Sequence, residues 1–89
     1  MLAVIKNPDE EPEMKEIDNT LRALQDAVAG HIETVRFGKV AAIINEEGRL
    51  MGLKENTLGF VGPVVFVGVR GEEFRGLTED EAWMIMECV

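Results

Sequence analysis

The chain is organised around the apolar segment Val40 to Ile44, which is followed by the polar turn Asn45-Glu46-Glu47-Gly48. A short apolar run bounded by turn residues is typical of a strand that is buried on both faces. Because glycine accepts the positive φ that a tight turn needs, this turn predicts a hairpin into the weaker apolar segment Leu50 to Leu53. The apolar run Val64 to Val67 predicts a second strand with both faces covered, ended by the glycines that follow it.

Further strands are predicted from β-prone and alternating segments. Leu2 to Ile5 is apolar and β-prone, and it predicts a first strand. Glu13 to Ile17 alternates polar and apolar residues, which favours a hairpin partner of that strand over the approach to a helix. His31 to Phe37 also alternates, and the connector Gly38-Lys39 predicts a hairpin with a central strand over residues 40–45.

The first predicted helix spans Leu21 to Ala29. The cluster Asp18-Asn19-Thr20 offers N-cap side chains. Leu21, Leu24 and Val28 then fall at i, i+3 and i+7, on one helix face. Gly30 follows as the residue expected to take the left-handed conformation after the helix.

The second predicted helix lies at the end of the sequence. Thr78 followed by Glu81 three residues later is a capping box, and Leu77 and Ala82 have the spacing of a hydrophobic staple. Three acidic residues in the first turn favour the positive end of the helix dipole. The apolar face of this helix consists of Ala82, Ile85, Met86 and Val89.

Together these elements predict a single α+β domain over residues 1–89. We expect a small antiparallel or mixed sheet of about four or five strands, with two helices packed on one face. A chain of this length buries only about 60–65% of its unfolded surface, so it gains from oligomerising, most simply as a homodimer.

The charge balance is strongly acidic, with 17 acidic and 9 basic residues and a formal net charge of −8. Phosphate backbones and anionic membrane surfaces repel such a chain, so we expect neither a nucleic-acid nor a membrane partner. The acidic groups are predicted to form a solvated face, with a polyanion-mimicking surface and a divalent-cation site as the alternatives. These groups are Asp9 to Glu13, Glu46-Glu47, Glu72-Glu73 and Glu79 to Glu81.

Residue types that usually carry out catalysis are scarce. The chain has no Ser and no Tyr, and its only His and Cys are His31 and Cys88. No catalytic residue, metal site or cofactor is therefore predicted. His31 follows a predicted helix end, and Cys88 lies beside acidic Glu87; we expect a structural role for both, with Cys88 partly buried. A lone cysteine fits a reducing cytoplasm, and neither a signal peptide nor a membrane span is expected.

Several segments resemble one family over nearly the whole chain. They are Leu21 to Val35, Ile44 to Leu53, Asn56, Gly62 to Gly68, Gly71-Glu72-Glu73-Phe74 and Leu77 to Glu81. On these residues the chain resembles the domain of unknown function 3846 family, small proteins of bacteria, phages and mobile elements. It departs at Lys54-Glu55, where the family often carries prolines. The resemblance implies a phage or mobile-element accessory protein in a bacterial cytoplasm, and it transfers no functional residue.

Three functions remain open at this point. The first is a non-enzymatic interaction protein that binds a host protein, with Glu79, Asp80 and Trp83 as the candidate surface. The second is a protein that binds or sequesters a nucleotide-like small molecule. Its candidate phosphate contacts are Arg36, Arg49, Arg70 and Arg75. The third and least favoured is an enzyme that would need carboxylates from separate segments.

Overall fold

A computed structural model describes residues 1–89 and contains six strands and two α-helices. The predicted α+β class is confirmed, and every strand pair is antiparallel. The elements are β1 (Leu2–Lys6), β2 (Glu13–Glu16), α1 (Leu21–Val28), β3 (Ile32–Phe37), β4 (Val40–Asn45), β5 (Val64–Arg70), β6 (Glu73–Arg75) and α2 (Glu79–Cys88). The sixth strand is β6, a three-residue segment for which no strand is predicted from the sequence.

The strand order is β2-β1-β5-β4-β3, with β6 paired to β5. Strand β5 therefore takes the central position that the sequence assigns to β4. Its residue Phe66 pairs with Val4 of β1 on one side and with Ala42 of β4 on the other. The strand does not end at Gly68, which pairs with both Val40 and Arg75, so the far half of β5 supports β6.

The two helices cover opposite faces of the sheet, and not one face as predicted from the sequence. On the face that we call the α1 face, Leu24 and Val28 pack in a cluster with Ile43 and Val65. On the opposite face, the α2 face, Ala82 packs in a cluster with residues of β1, β4 and β5. Successive residues of a strand point to opposite faces, so the apolar runs of β4 and β5 make both faces of the sheet apolar. Each face is therefore buried by a different helix.

The segment after β4 is a series of turns and not the predicted hairpin. The side chain of Asn45 accepts a hydrogen bond from the Glu47 N–H at 2.8 Å and donates to the Val28 carbonyl at 3.0 Å. Asn45 therefore joins the turn after β4 to the end of α1. The segment Leu50 to Leu53 forms no strand, and Leu50 is 88% exposed.

Helix α1 ends one residue earlier than predicted. Ala29, and not Gly30, has the left-handed conformation, with φ 62° and ψ 39°. Gly30 is required for space, since a Cβ there would lie 2.7 Å from Nδ2 of Asn45. The capping box of α2 is present as predicted, with Thr78 and Glu81 each accepting a hydrogen bond from the backbone N–H of the other.

Neither α1 nor α2 has the length and the continuous apolar character that a membrane crossing needs.

Candidate protein-interaction site

The α2 face is covered only in part. Helix α2 lies across β1 and β2, and the short 3₁₀ turn Thr57–Gly59 stands over the β3–β4 side. Between them is a cavity of about 200 Å³ whose lining is entirely apolar, which we call the apolar groove. Its lining residues are Phe37, Val40, Leu58, Phe66, Met84, Ile85, Cys88 and Val89.

Large apolar side chains at this groove are open to solvent. Phe37 is 48% exposed, Leu58 is 59% exposed and Met84 is 67% exposed. Scattered apolar residues are normal on a protein surface, but here three come together from β3, the 3₁₀ turn and α2. Clustering of this kind is typical of a surface that binds another molecule.

A second cavity, of about 310 Å³, adjoins the groove through Leu58, which lines both. It carries charge, so we call it the charged cavity. Glu33 from β3 and Glu46 from the turn after β4 line it, together with Arg49. Two carboxylates and one guanidinium leave this cavity acidic, in keeping with the charge of the whole chain.

Leu58 has a strained backbone, with φ 55° and ψ 24°. This left-handed conformation costs roughly 1–2 kcal/mol for a residue other than glycine. Such strain persists only where neighbouring contacts impose it.

Asn56 supplies the contacts that hold this turn. Its Nδ2 donates to the carbonyls of Lys6 at 2.7 Å and Gly62 at 2.8 Å. Its Oδ1 accepts from the Thr57 N–H at 2.8 Å and from Nζ of Lys6 at 3.2 Å. The Asn56 N–H also donates to the Phe60 carbonyl at 2.8 Å. The turn is therefore tied to the end of β1, and Leu58 is held in place.

Of the four predicted phosphate-binding arginines, the structure places Arg49 alone in a large cavity. Arg49 donates to the Gly59 carbonyl at 3.0 Å at the rim of the charged cavity. Arg36 donates to the carbonyls of Gly38 and Gly71, each at 2.9 Å, and so braces two turns. Arg70 is exposed at the end of β5. Arg75 is bound to Glu81.

The predicted interaction residues Glu79, Asp80 and Trp83 are all exposed on α2, but none lines the apolar groove. Trp83 is 55% exposed. The groove uses Met84 and Cys88 instead, which lie four residues apart on the helix. The i, i+4 spacing of these two apolar residues, outside the predicted apolar face of the helix, is the sequence signal for the groove. No local pattern in the sequence indicates that Leu58 and Phe37 lie beside Met84 and Cys88.

The only cysteine and the only histidine are both exposed. Cys88 was expected to be partly buried, but it lines the open groove. His31 lies just after α1, where its carbonyl accepts from the Glu46 N–H at 2.8 Å. The chain has no group of three or more His, Cys, Asp or Glu side chains arranged to hold a metal ion.

Comparison with known proteins gives one family. The model described as "Domain of unknown function (DUF3846)" matches residues 1–88, and the chain belongs to this family. Neither the curated proteins nor the solved structures gave a match.

Proposed function

We propose that this member of the domain of unknown function 3846 family is a non-enzymatic interaction protein whose apolar groove binds a segment of a partner protein. Leu58 is the observation that carries the proposal. Its side chain is 59% exposed, apolar and shared by two cavities. An exposed leucine on a strained backbone does not stabilise the folded chain. It can favour binding, because a side chain that is already held in position loses little conformational entropy when a partner contacts it.

The cellular location and the biological origin of the protein are also part of the proposal. We place the protein in a bacterial cytoplasm, as an accessory factor of a phage or mobile element that acts on a host protein. The resemblance of the sequence, its acidic balance and its single cysteine support that setting. A homodimer is a further form, which the small size of the chain favours.

A small-molecule function is the second candidate, and the charged cavity favours it. Its volume of about 310 Å³ suits a small ligand, and Arg49 offers a cation there. Glu33 and Glu46 line the same cavity and repel a phosphate group, so this candidate ranks lower. A nucleotide that binds the folded chain must raise its thermal midpoint, which a thermal-shift panel measures.

Two exposed leucines offer a matched test of the groove. Leu58 is 59% exposed in the groove and Leu21 is 58% exposed on α1. Asparagine tolerates the left-handed conformation, so Leu58→Asn keeps the turn while it removes the apolar side chain. We expect Leu58→Asn to abolish capture of a specific partner from bacterial lysate, and Leu21→Asn to leave capture unchanged.

Cys88 provides a second readout because it is the only thiol and lines the groove. We expect a bound partner to slow modification of this thiol by a disulfide reagent several-fold. The proposal is wrong if the captured partner binds the wild-type and Leu58→Asn proteins equally and leaves the Cys88 reaction rate unchanged.

A further inference from the structure

The sheet has three edge strands, β2, β3 and β6, which differ in how they are protected. Strand β6 has only three residues, and its Phe74 carbonyl already accepts a hydrogen bond from Nδ2 of Asn19 at 3.0 Å. Edge strand β2 has four residues, follows Pro12 and has charged side chains at Glu13, Lys15 and Glu16. Short length, charge and a nearby proline all discourage pairing with another strand. Strand β3 is longer, with six residues, Ile-Glu-Thr-Val-Arg-Phe; only Glu33 and Arg36 are charged, and it has no proline or glycine. This edge is open to a further strand.

The β3–β4 turn identifies which backbone groups of β3 are free. A two-residue loop with Gly38 at φ 64° joins Phe37 to Val40, as in a type II′ hairpin, so Phe37 and Val40 exchange hydrogen bonds. Every second residue of β3, counted back from Phe37, is then hydrogen-bonded to β4. The bond from the Glu46 N–H to the His31 carbonyl fits this alternation. The N–H and C=O groups that point away from β4 are those of Ile32, Thr34 and Arg36.

The side chains beside this edge lead into both cavities. Glu33 and Val35 line the charged cavity, and Phe37 lines the apolar groove. All three lie on the α2 face because they alternate with the residues that point to the α1 face. A strand paired with β3 would therefore place every second side chain next to these cavities.

We propose that an extended segment of the partner adds to β3 as a further antiparallel strand, with apolar residues beside Val35 and Phe37 and a Lys or Arg beside Glu33. This inference rests on the proposed function and specifies its partner chemistry. Main-chain hydrogen bonds to Ile32, Thr34 and Arg36 supply affinity, and the alternate side chains supply specificity.

Charge decides between a partner segment and a second copy. Glu33 and Glu46 outnumber Arg49 in the cavity beside this edge, and the chain carries a net charge of −8. A second copy paired about Thr34 would place Val35, not a cation, opposite Glu33, and would bring two acidic molecules together. A cationic and apolar strand fits the edge better.

The test uses two synthetic peptides of about eight residues with the same alternating Val and Leu positions. One carries Lys at the position that faces Glu33, and the other carries Glu there. We expect the Lys peptide to bind and to slow amide hydrogen exchange at Ile32, Thr34 and Arg36 about tenfold or more. The Glu peptide should bind about tenfold more weakly, and Glu33→Gln should reduce that difference.

Thr34→Pro is the decisive variant, with Thr34→Val as its control. Proline removes the outward N–H of Thr34 without removing a bond to β4, and edge strands tolerate it there. We expect peptide binding to be lost in Thr34→Pro and kept in Thr34→Val, with similar unfolding midpoints. Binding of the Lys peptide without exchange protection, or equal binding by Thr34→Pro, would overturn strand addition.

Two further outcomes separate this inference from the proposed function. If Leu58→Asn abolishes partner capture but Thr34→Pro does not, the groove binds the partner and strand addition is wrong. If the same three amides become protected with rising protein concentration and no peptide, the strand that adds to β3 is a second copy, and the partner-segment proposal is wrong.

Discussion

Arg75 and Glu81 form an ion pair with two hydrogen bonds, Nη1 to Oε1 at 2.8 Å and Nη2 to Oε2 at 3.0 Å. Oε1 of Glu81 also accepts from the Thr78 N–H at 2.9 Å in the capping box. One carboxylate thus joins the last residue of β6 to the first turn of α2. The Arg75 guanidinium reaches further, to the Lys39 carbonyl at 3.1 Å, so the pair also connects the β3–β4 turn.

This pair predicts a loss of stability in acid. The hydrogen bonds from Arg75, and next the one from the Thr78 backbone, lower the pKa of Glu81 from 4.5 to about 2, against the opposing effect of burial. Because the folded pKa is the lower one, the contribution is complete above pH 4.5 and is lost as the pH falls toward about 2. We expect the free energy of unfolding to fall by on the order of 2 kcal/mol across that window, after allowance for solvent screening. Urea unfolding at a series of pH values measures it.

Glu81→Gln and Glu79→Gln separate this pair from the general effect of charge. Both remove a carboxylate from the first turn of α2, but only Glu81 binds Arg75. We expect Glu81→Gln to lower stability near neutral pH by about 2 kcal/mol and to flatten the acid profile. Glu79→Gln should cost under about 0.5 kcal/mol. An acid profile that Glu81→Gln leaves as steep as before would contradict the assignment.

Gly68 is expected to be constrained by Arg75. A Cβ at Gly68 would overlap Nη1 of Arg75 and lie 2.6 Å from its Cζ. Since Glu81 holds that guanidinium in place, we expect Gly68→Ala to cost about 1–3 kcal/mol. In a Glu81→Gln background the arginine is free to move, so the cost should fall by about half or more. A double-mutant cycle in denaturant measures the coupling, and additive losses would show that the two sites are independent.

Asn56 is predicted to be the anchor of the groove. Asn56→Ala leaves the carbonyls of Lys6 and Gly62 without their side-chain donor, and it releases the turn that carries Leu58. We expect a loss of about 2–3 kcal/mol in the free energy of unfolding. Asn19→Ala is the control, since Asn19 makes one exposed bond to the Phe74 carbonyl, and it should cost about 1 kcal/mol or less. Equal losses in the two variants would show that the Asn56 contacts are not special.

Ala29→Gly is expected to stabilise the protein. Ala29 has φ 62° at the end of α1, where glycine carries no steric penalty. Relief of this strain, less the greater entropy of glycine in the unfolded chain, should raise the free energy of unfolding by up to about 1 kcal/mol. The same change at Ala27, inside the helix, should lower it by about 1 kcal/mol. Thermal unfolding of the two variants should therefore shift in opposite directions.

The parts of the fold that could be predicted are those with local signals. Helix α1 begins where expected because Thr20 accepts a hydrogen bond from the Ala23 N–H at 3.1 Å, and α2 begins at its capping box. The β3–β4 hairpin follows from alternation and a two-residue connector. Strand β6 was missed because it has only three residues, Glu73–Arg75, and it forms through pairing with β5. The bonds at the end of α1 could not be predicted, because Asn45, distant in sequence, donates to the Val28 and Ala29 carbonyls there.

By itself, the sequence determined the two helix starts, the β1–β2 and β3–β4 hairpins, two strands apolar on both faces and an acidic surface. The helices and strands among these features depend on residues a few positions apart. The repeat of the helix or strand determines which of those residues share a face. Only the tertiary structure decided the strand order, the opposite placement of the helices and the groove of Phe37, Leu58 and Met84. Each of these depends on contacts between segments far apart in the chain. A local pattern identifies the face that is buried, but not the element that covers it.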